Sequence, residues 1–123
     1  MGMEKDIQKR TKVFALTVIR FTEKMSSSRV NNILVNQIIR SCTSIGANYI
    51  AACYAKSQSD FLNKLKIVEE EATETKYWLE LIKETNPNLS AQIITIIKEA
   101  DELISIFSAT VLTMKRKLYQ CSK

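Results

Sequence analysis

The chain has 123 residues, a net charge of +5, no histidine, two glycines and three cysteines. That length fits one domain with one continuous core. The absence of histidine removes Ser-His and Cys-His nucleophile pairs and histidine-containing zinc sites, and two glycines can hardly supply a P-loop or a dinucleotide loop.

No apolar run approaches the roughly 18 residues of a membrane span, and the charged start of the chain is followed by no apolar signal segment, so a cytoplasmic protein without membrane contact is expected. Cys42, Cys53 and Cys121 form no CxxC pair, and their odd number argues for a reducing compartment. Charge is uneven. Residues 60–88 carry seven acidic and four basic residues, whereas residues 1–29 carry three acidic and seven basic.

The first helix is expected over about residues 4–25, where Ile7, Phe14, Val18, Phe21 and Met25 recur at helical spacing. Ser26-Ser27-Ser28 reads as a short linker able to cap the next helix. The second helix is expected over about residues 30–56, with Val30, Leu34, Ile38, Ile45, Tyr49 and Ala52 on its buried side. From Ser41 to Ala55 its side chains are mostly small, which permits a neighbour to approach closely, and Gly46 fits such an approach. Asn48 is either a buried amide with a partner or a surface residue.

Lys56-Ser57-Gln58-Ser59 breaks the helix, and Ser57 with Asp60 three positions later resembles a capping box. The third helix, about residues 59–85, shows a heptad through Phe61, Leu65, Val68, Ala72, Thr75, Leu79 and Ile82. Trp78 lies one position off that seam, where it covers the core edge or enters a subunit interface. Glu69, Glu70, Glu71, Glu74, Glu80 and Glu84 occupy the other faces. A carboxylate-bridged metal bundle would pair such acids with Glu-x-x-His motifs, so a solvated acidic face is expected, with no metal, no cofactor and no catalytic residues.

Asn86-Pro87-Asn88 marks the last turn, capped by Asn86 or by Ser90. The fourth helix is expected over about residues 87–120, with its stripe at Ile93, Ile97, Ala100, Ile104, Phe107, Val111, Met114 and Leu118. Ile94, Ile96 and Leu103 widen the stripe beyond what one neighbour needs. Tyr77, Trp78, Ile94 and Leu103 are therefore candidates for an oligomer or partner interface. Lys115-Arg116-Lys117 either completes the helix dipole or contacts phosphate. Four such segments with short joints predict an all-α, antiparallel up-down-up-down four-helix bundle over residues 1–123.

The central helices also carry a family pattern. Gln37-Ile38-Ile39-Arg40-Ser41, Thr43-Ser44-Ile45-Gly46-Ala47-Asn48-Tyr49, Asp60-Phe61 and Tyr77-Trp78-Leu79-Glu80-Leu81 resemble the four helix bundle proteins encoded by intervening sequences of bacterial large-subunit rRNA genes. The resemblance covers about fifty residues closely, and the outer helices agree in length and character. It implies an antiparallel bundle and a homo-oligomer, since relatives form homopentameric rings. The accessory variability determinant of diversity-generating retroelements, a relative, binds a reverse transcriptase and nucleic acid.

By the same resemblance Asn48, Tyr49, Ser57, Asp60 and Phe61 occupy motif positions, with Asn48 and Ser57 expected to hold the helix hairpin and Phe61 to enter the core. Arg40 matches the pattern's basic residue, which pairs with an acid or contacts a polyanion. The chain departs at Ala51, where many relatives have Glu.

Two candidate functions emerge. One is a homo-oligomeric RNA- or DNA-binding accessory protein, touching phosphates through Lys5, Lys9, Arg10, Lys12, Arg40, Lys115, Arg116 and Lys117. The other is a protein-binding scaffold that does not bind nucleic acid.

Overall fold

The computed structural model describes residues 2–121, with the backbone alone at Cys121. Four α-helices make up nearly all of it: α1 (Gly2–Thr22), α2 (Arg29–Cys53), α3 (Gln58–Thr85) and α4 (Ser90–Cys121). A 3₁₀ turn at Pro87–Leu89 leads into α4. Each helix packs on its neighbours in chain order and α4 closes back on α1, while neither diagonal pair comes into backbone contact. This is an up-down-up-down four-helix bundle. The α1–α4 seam is the thinnest of its four sides.

The joints follow from their capping chemistry. Helix α1 stops at Thr22, whose hydroxyl donates back to the Ile19 carbonyl at 2.6 Å, and the Lys24 and Met25 amides close tight turns onto Phe21 and Thr22. The helix thus starts two residues before and ends three residues before the expected 4–25, and Met25 packs on the core from the turn. Ser28, in extended backbone, accepts from the Asn31 amide at 3.0 Å and starts α2. Ser57 does the same for α3, accepting from the Asp60 amide at 3.0 Å. The Asp60 carboxylate reaches back to the Lys56 amide at 3.3 Å, one residue earlier than a regular capping box would. Asn86 is not a side-chain cap, and α4 begins after Pro87 has opened the 3₁₀ turn.

The core runs the length of the bundle through Phe14, Val18, Ile38, Ile45, Leu65, Leu79, Ile93 and Phe107. Several expected positions differ, among them Ile97 and Ile104 of the α4 stripe, which are only half-buried while Ile96 and Leu103 take the core. Val30 is exposed and Asn31 is buried in its place, because the α2 stripe runs through Asn31, Leu34 and Ile38. Phe61 lies only partly buried against the core and Leu62 enters it, because the α3 seam starts one residue later than the heptad suggested. Leu103 is 0% exposed and sits on the core seam with Ile96, Ala100 and Phe107, so it cannot belong to an outer interface.

Two close approaches set the helix spacing. A Cβ added at Gly46 would lie 3.1 Å from Thr11 Oγ1, so the missing side chain lets α1 settle on α2 at that level. On the other side of α2, the Thr75 hydroxyl lies 2.8 Å from Ser41 Oγ, and both residues are fully buried. No helix among the described residues is long and apolar enough to cross a membrane.

Candidate nucleic-acid interface

The eight cations expected to meet phosphate fall into three situations. Arg10 is held by α4: its Nε and Nη2 each donate to Glu99 at 2.8 Å, and Nη2 lies 3.4 Å from Glu102. This fork pulls the Glu99 carboxyl below its ordinary range, chiefly through the hydrogen bonds from Arg10 and against the opposing effect of burial. Arg40 is held by α3. Its guanidinium bonds Glu74 and lies 3.5 Å from Glu71, and Glu74 also accepts from Trp78 Nε1 at 3.0 Å. Of the two roles left open for Arg40, pairing with acids is the one the structure displays.

The remaining six, Lys5, Lys9, Lys12, Lys115, Arg116 and Lys117, have no carboxylate partner among the described residues. They divide by position. Lys115, Arg116 and Lys117 are exposed on α4 beyond Met114. Met114 itself lies beside Glu4, Lys56, Ser57 and Phe61, which places it at the end of the bundle where the α2–α3 joint sits. From there α4 continues to Cys121, roughly 10 Å farther at helical rise. Lys5, Lys9 and Lys12 instead form a rail along the flank of α1.

That rail borders a groove of about 500 Å³ between α1 and α2. Ala15, Gly46, Ala47 and Ile50 supply its apolar part, and Thr43 and Gln8 contribute polar groups. The groove exists because the small residues Thr43, Gly46 and Ala47 leave the outer side of the α1–α2 seam unfilled. Sequence reasoning placed the lysines and the small residues but not the groove they share. Ile50, 44% exposed beside buried Tyr49, is the signal that could have found it.

The acids of α3 do not converge. Glu69 accepts from Ser108 on α4, Glu71 and Glu74 turn to Arg40 on α2, and Glu70 is exposed. Among the described residues no three Asp, Glu or Cys side chains are grouped to hold a metal ion. Burial pushes the Cys42 thiol up to about 12. Tyr49 is raised as well, first by burial and then by Cys53. Neither group is poised for acid-base chemistry near neutral pH.

The motif residues are structural in their surroundings. Tyr49 packs tilted on Phe107 with ring centroids 5.9 Å apart. Asn48 is half-buried and donates to the Ser44 carbonyl one turn back at 2.8 Å, so it braces α2 itself rather than the hairpin. Asp60 accepts from Lys64 Nζ at 2.9 Å. Ala51 is half-buried. Of the proposed interface residues, Trp78 covers the core edge with its N–H satisfied, whereas Tyr77 (54%) and Ile94 (43%) remain exposed.

Comparison with known proteins places this architecture. Among curated proteins, none matches the sequence. A crystal structure of a protein with unknown function from the S23 ribosomal protein family of Bacteroides thetaiotaomicron superposes with a TM-score of 0.79 at 31% identity, covering 88% of this chain and 96% of that one. The sequence matches the 23S rRNA-intervening sequence protein family over residues 3–109. With the fold and the sequence in agreement over most of its length, the chain belongs to the 23S rRNA-intervening sequence protein family.

Proposed function

We propose that this protein acts without catalysis, as a self-associating accessory protein that binds RNA through its phosphates. The observation that carries the reading is the Lys115-Arg116-Lys117 cluster, three exposed cations in succession with no carboxylate partner among the described residues, near the end of the longest helix. Bound cations such as Arg10 and Arg40 would have to break existing ion pairs to meet a phosphate. These three would not. A run of cations without exposed aromatic residues alternating between them suits sequence-neutral phosphate contact better than base reading. The family's association with 23S rRNA makes structured rRNA the first probe.

The test is fluorescence anisotropy of a labelled rRNA hairpin at about 50 and about 200 mM salt, with the wild type and with Lys115, Arg116 and Lys117 replaced by Gln. Wild-type binding should weaken steeply with salt, and the triple variant should lower the slope of log K against log salt by roughly two to three. Absence of binding at the lower salt, or an unchanged slope in the variant, would remove the proposal. A second reading, contact with protein, is favoured by the groove on the opposite flank from the acidic helix.

A further inference from the structure

The two helices that form the groove carry charge of nearly one sign. Helix α2 contains no acidic residue, and α1 has only Glu4 and Asp6 near its start, against Lys5, Lys9, Arg10, Lys12 and Arg20. Neither acid lines the groove. Arg10 is answered from α4 by Glu99 and Glu102, but Lys5, Lys9 and Lys12 have no carboxylate partner among the described residues. Their spacings of four and three set them in one row along about 10 Å of helix.

Beside this row the floor is apolar, made by Ala15, Gly46, Ala47 and Ile50, and Ile50 is 44% exposed. The polar groups next to it are already engaged. Thr11 donates to the Gln8 carbonyl at 2.9 Å, Thr43 donates to the Ile39 carbonyl at 2.7 Å, and the Gln8 side chain turns to the Cys53 thiol. An extended peptide laid there would leave its backbone groups without partners, whereas a helix satisfies its own. RNA fits the floor no better, since it offers neither a ring for a base to stack on nor a donor for a base edge. A trough between two helices, floored by small residues, takes a third helix.

We infer that this groove seats an amphipathic helix of another protein, with small and aliphatic residues on one stripe and acids bordering it at spacings of three and four. The floor supplies burial, and the lysine row supplies register and selection for negative charge. The chain's own acidic helix is a poor occupant, because Glu69, Glu71 and Glu74 already bond Ser108 and Arg40 within the bundle. The inference rests on the second reading, contact with protein, and gives that contact a surface and a class of partner. It uses none of Lys115, Arg116 and Lys117, so the RNA reading stands or falls separately.

The test is fluorescence anisotropy with a labelled, helix-stabilised peptide of about 18 residues that carries Ala and Leu on one stripe and Glu along its border. Wild type should bind it with a Kd below about 100 μM at about 50 mM salt. Lys9→Glu with Lys12→Glu should weaken binding at least about 30-fold, and a peptide with Lys in place of Glu should restore it to within about tenfold. Ala47→Gln, which fills the floor without changing charge, should weaken binding at least about tenfold. All three positions are exposed, so the fold should survive, as circular dichroism would verify. Replacing Lys115, Arg116 and Lys117 with Gln should leave the peptide affinity within about twofold, whatever it does to RNA.

A wild type that ignores the peptide would overturn the inference without touching protein contact at another surface. Equal affinity for a scrambled peptide with no apolar stripe, or an Ala47→Gln variant that binds as well as wild type, would reduce the contact to charge attraction and overturn the groove. Displacement of the peptide by an rRNA hairpin, with RNA binding also lost in the Lys9 and Lys12 variant, would assign the row to RNA instead. Peptide affinity that falls as the protein concentration rises would assign the groove to a second copy, and that too would overturn the inference.

Discussion

Asn31 and Asn86 exchange hydrogen bonds inside the bundle: Asn31 Nδ2 donates to Asn86 Oδ1 at 3.2 Å and Asn86 Nδ2 to Asn31 Oδ1 at 3.1 Å. Both side chains are buried, and each amide has a second acceptor, the Ser26 carbonyl for Asn31 and the Ile82 carbonyl for Asn86. The pair thus joins the start of α2 and its linker to the end of α3. Replacing Asn31 with Leu strands the Asn86 carbonyl oxygen and should cost about 1–3 kcal/mol in urea unfolding, and Asn86→Leu a similar amount. The double variant should cost clearly less than the two singles added, because neither orphan remains. Additive losses would show that the two amides act separately.

Gly46 presents a conflict between helix propensity and packing. In an open helix, Gly46→Ala would stabilise by about 1 kcal/mol. Here the new methyl meets Thr11 Oγ1 at 3.1 Å, and Thr11 has little room to yield because it is fully buried with its hydroxyl bonded to the Gln8 carbonyl at 2.9 Å. The substitution should therefore be neutral to destabilising by about 1 kcal/mol in the wild type. In a Thr11→Ala background it should instead stabilise, giving a coupling of about 1–2 kcal/mol in the double-mutant cycle. Equal effects in the two backgrounds would mean that α1 simply moves away.

The Arg10–Glu99 fork gives a pH dependence whose sign is fixed. Glu99 titrates below its ordinary 4.5 in the folded chain, chiefly through the hydrogen bonds from Arg10. A lowered carboxylate stabilises the fold fully above that value, and the contribution disappears as pH falls through the folded pKa. Arg10 is raised above its ordinary value, chiefly by the hydrogen bond to Glu99, so its own loss lies in strong alkali. Both side chains are about one-third exposed, which limits the pair to about 1 kcal/mol. Wild type should exceed Glu99→Gln by about that margin in urea unfolding at neutral pH, and the gap should close as the solution is acidified below the ordinary carboxylate value and through the lowered folded one. A gap independent of pH would assign the effect to packing of the side chains.

Periodicity and turn chemistry made the four helices, their order and the Ser28 and Ser57 caps legible, because those signals are local. The errors came where a seam could be read in either of two adjacent frames. Phe61-Leu62 and Leu103-Ile104 are both apolar pairs, and only the facing helices decide which member turns inward. Val30 beside Asn31 misled for the opposite reason: Asn86, 55 residues away, provides the partner that makes the polar residue the buried one. The candidate site was legible in composition alone. Eight cations stand out in the sequence, but the carboxylates that occupy Arg10 and Arg40 come from other helices, and the groove beside the lysine rail is a property of two helices at once.

Cys42 tests how tightly the centre of the bundle is closed. It is fully buried on α2, and burial pushes its thiol up to about 12. At about pH 8 the thiolate fraction would then be only about one in ten thousand, and the sulfur would still have no path to a reagent. Cys53 is half-buried near the bundle end. In a Cys53→Ser, Cys121→Ser variant the one remaining thiol should react with an aromatic disulfide reagent at least about 1,000-fold more slowly in the folded protein than in urea. If its labelling rate follows global unfolding as denaturant is added, the core opens only with the whole bundle. Fast labelling under native conditions would mean instead that α1, held to α4 by the thinnest seam, lifts from α2 independently of the rest.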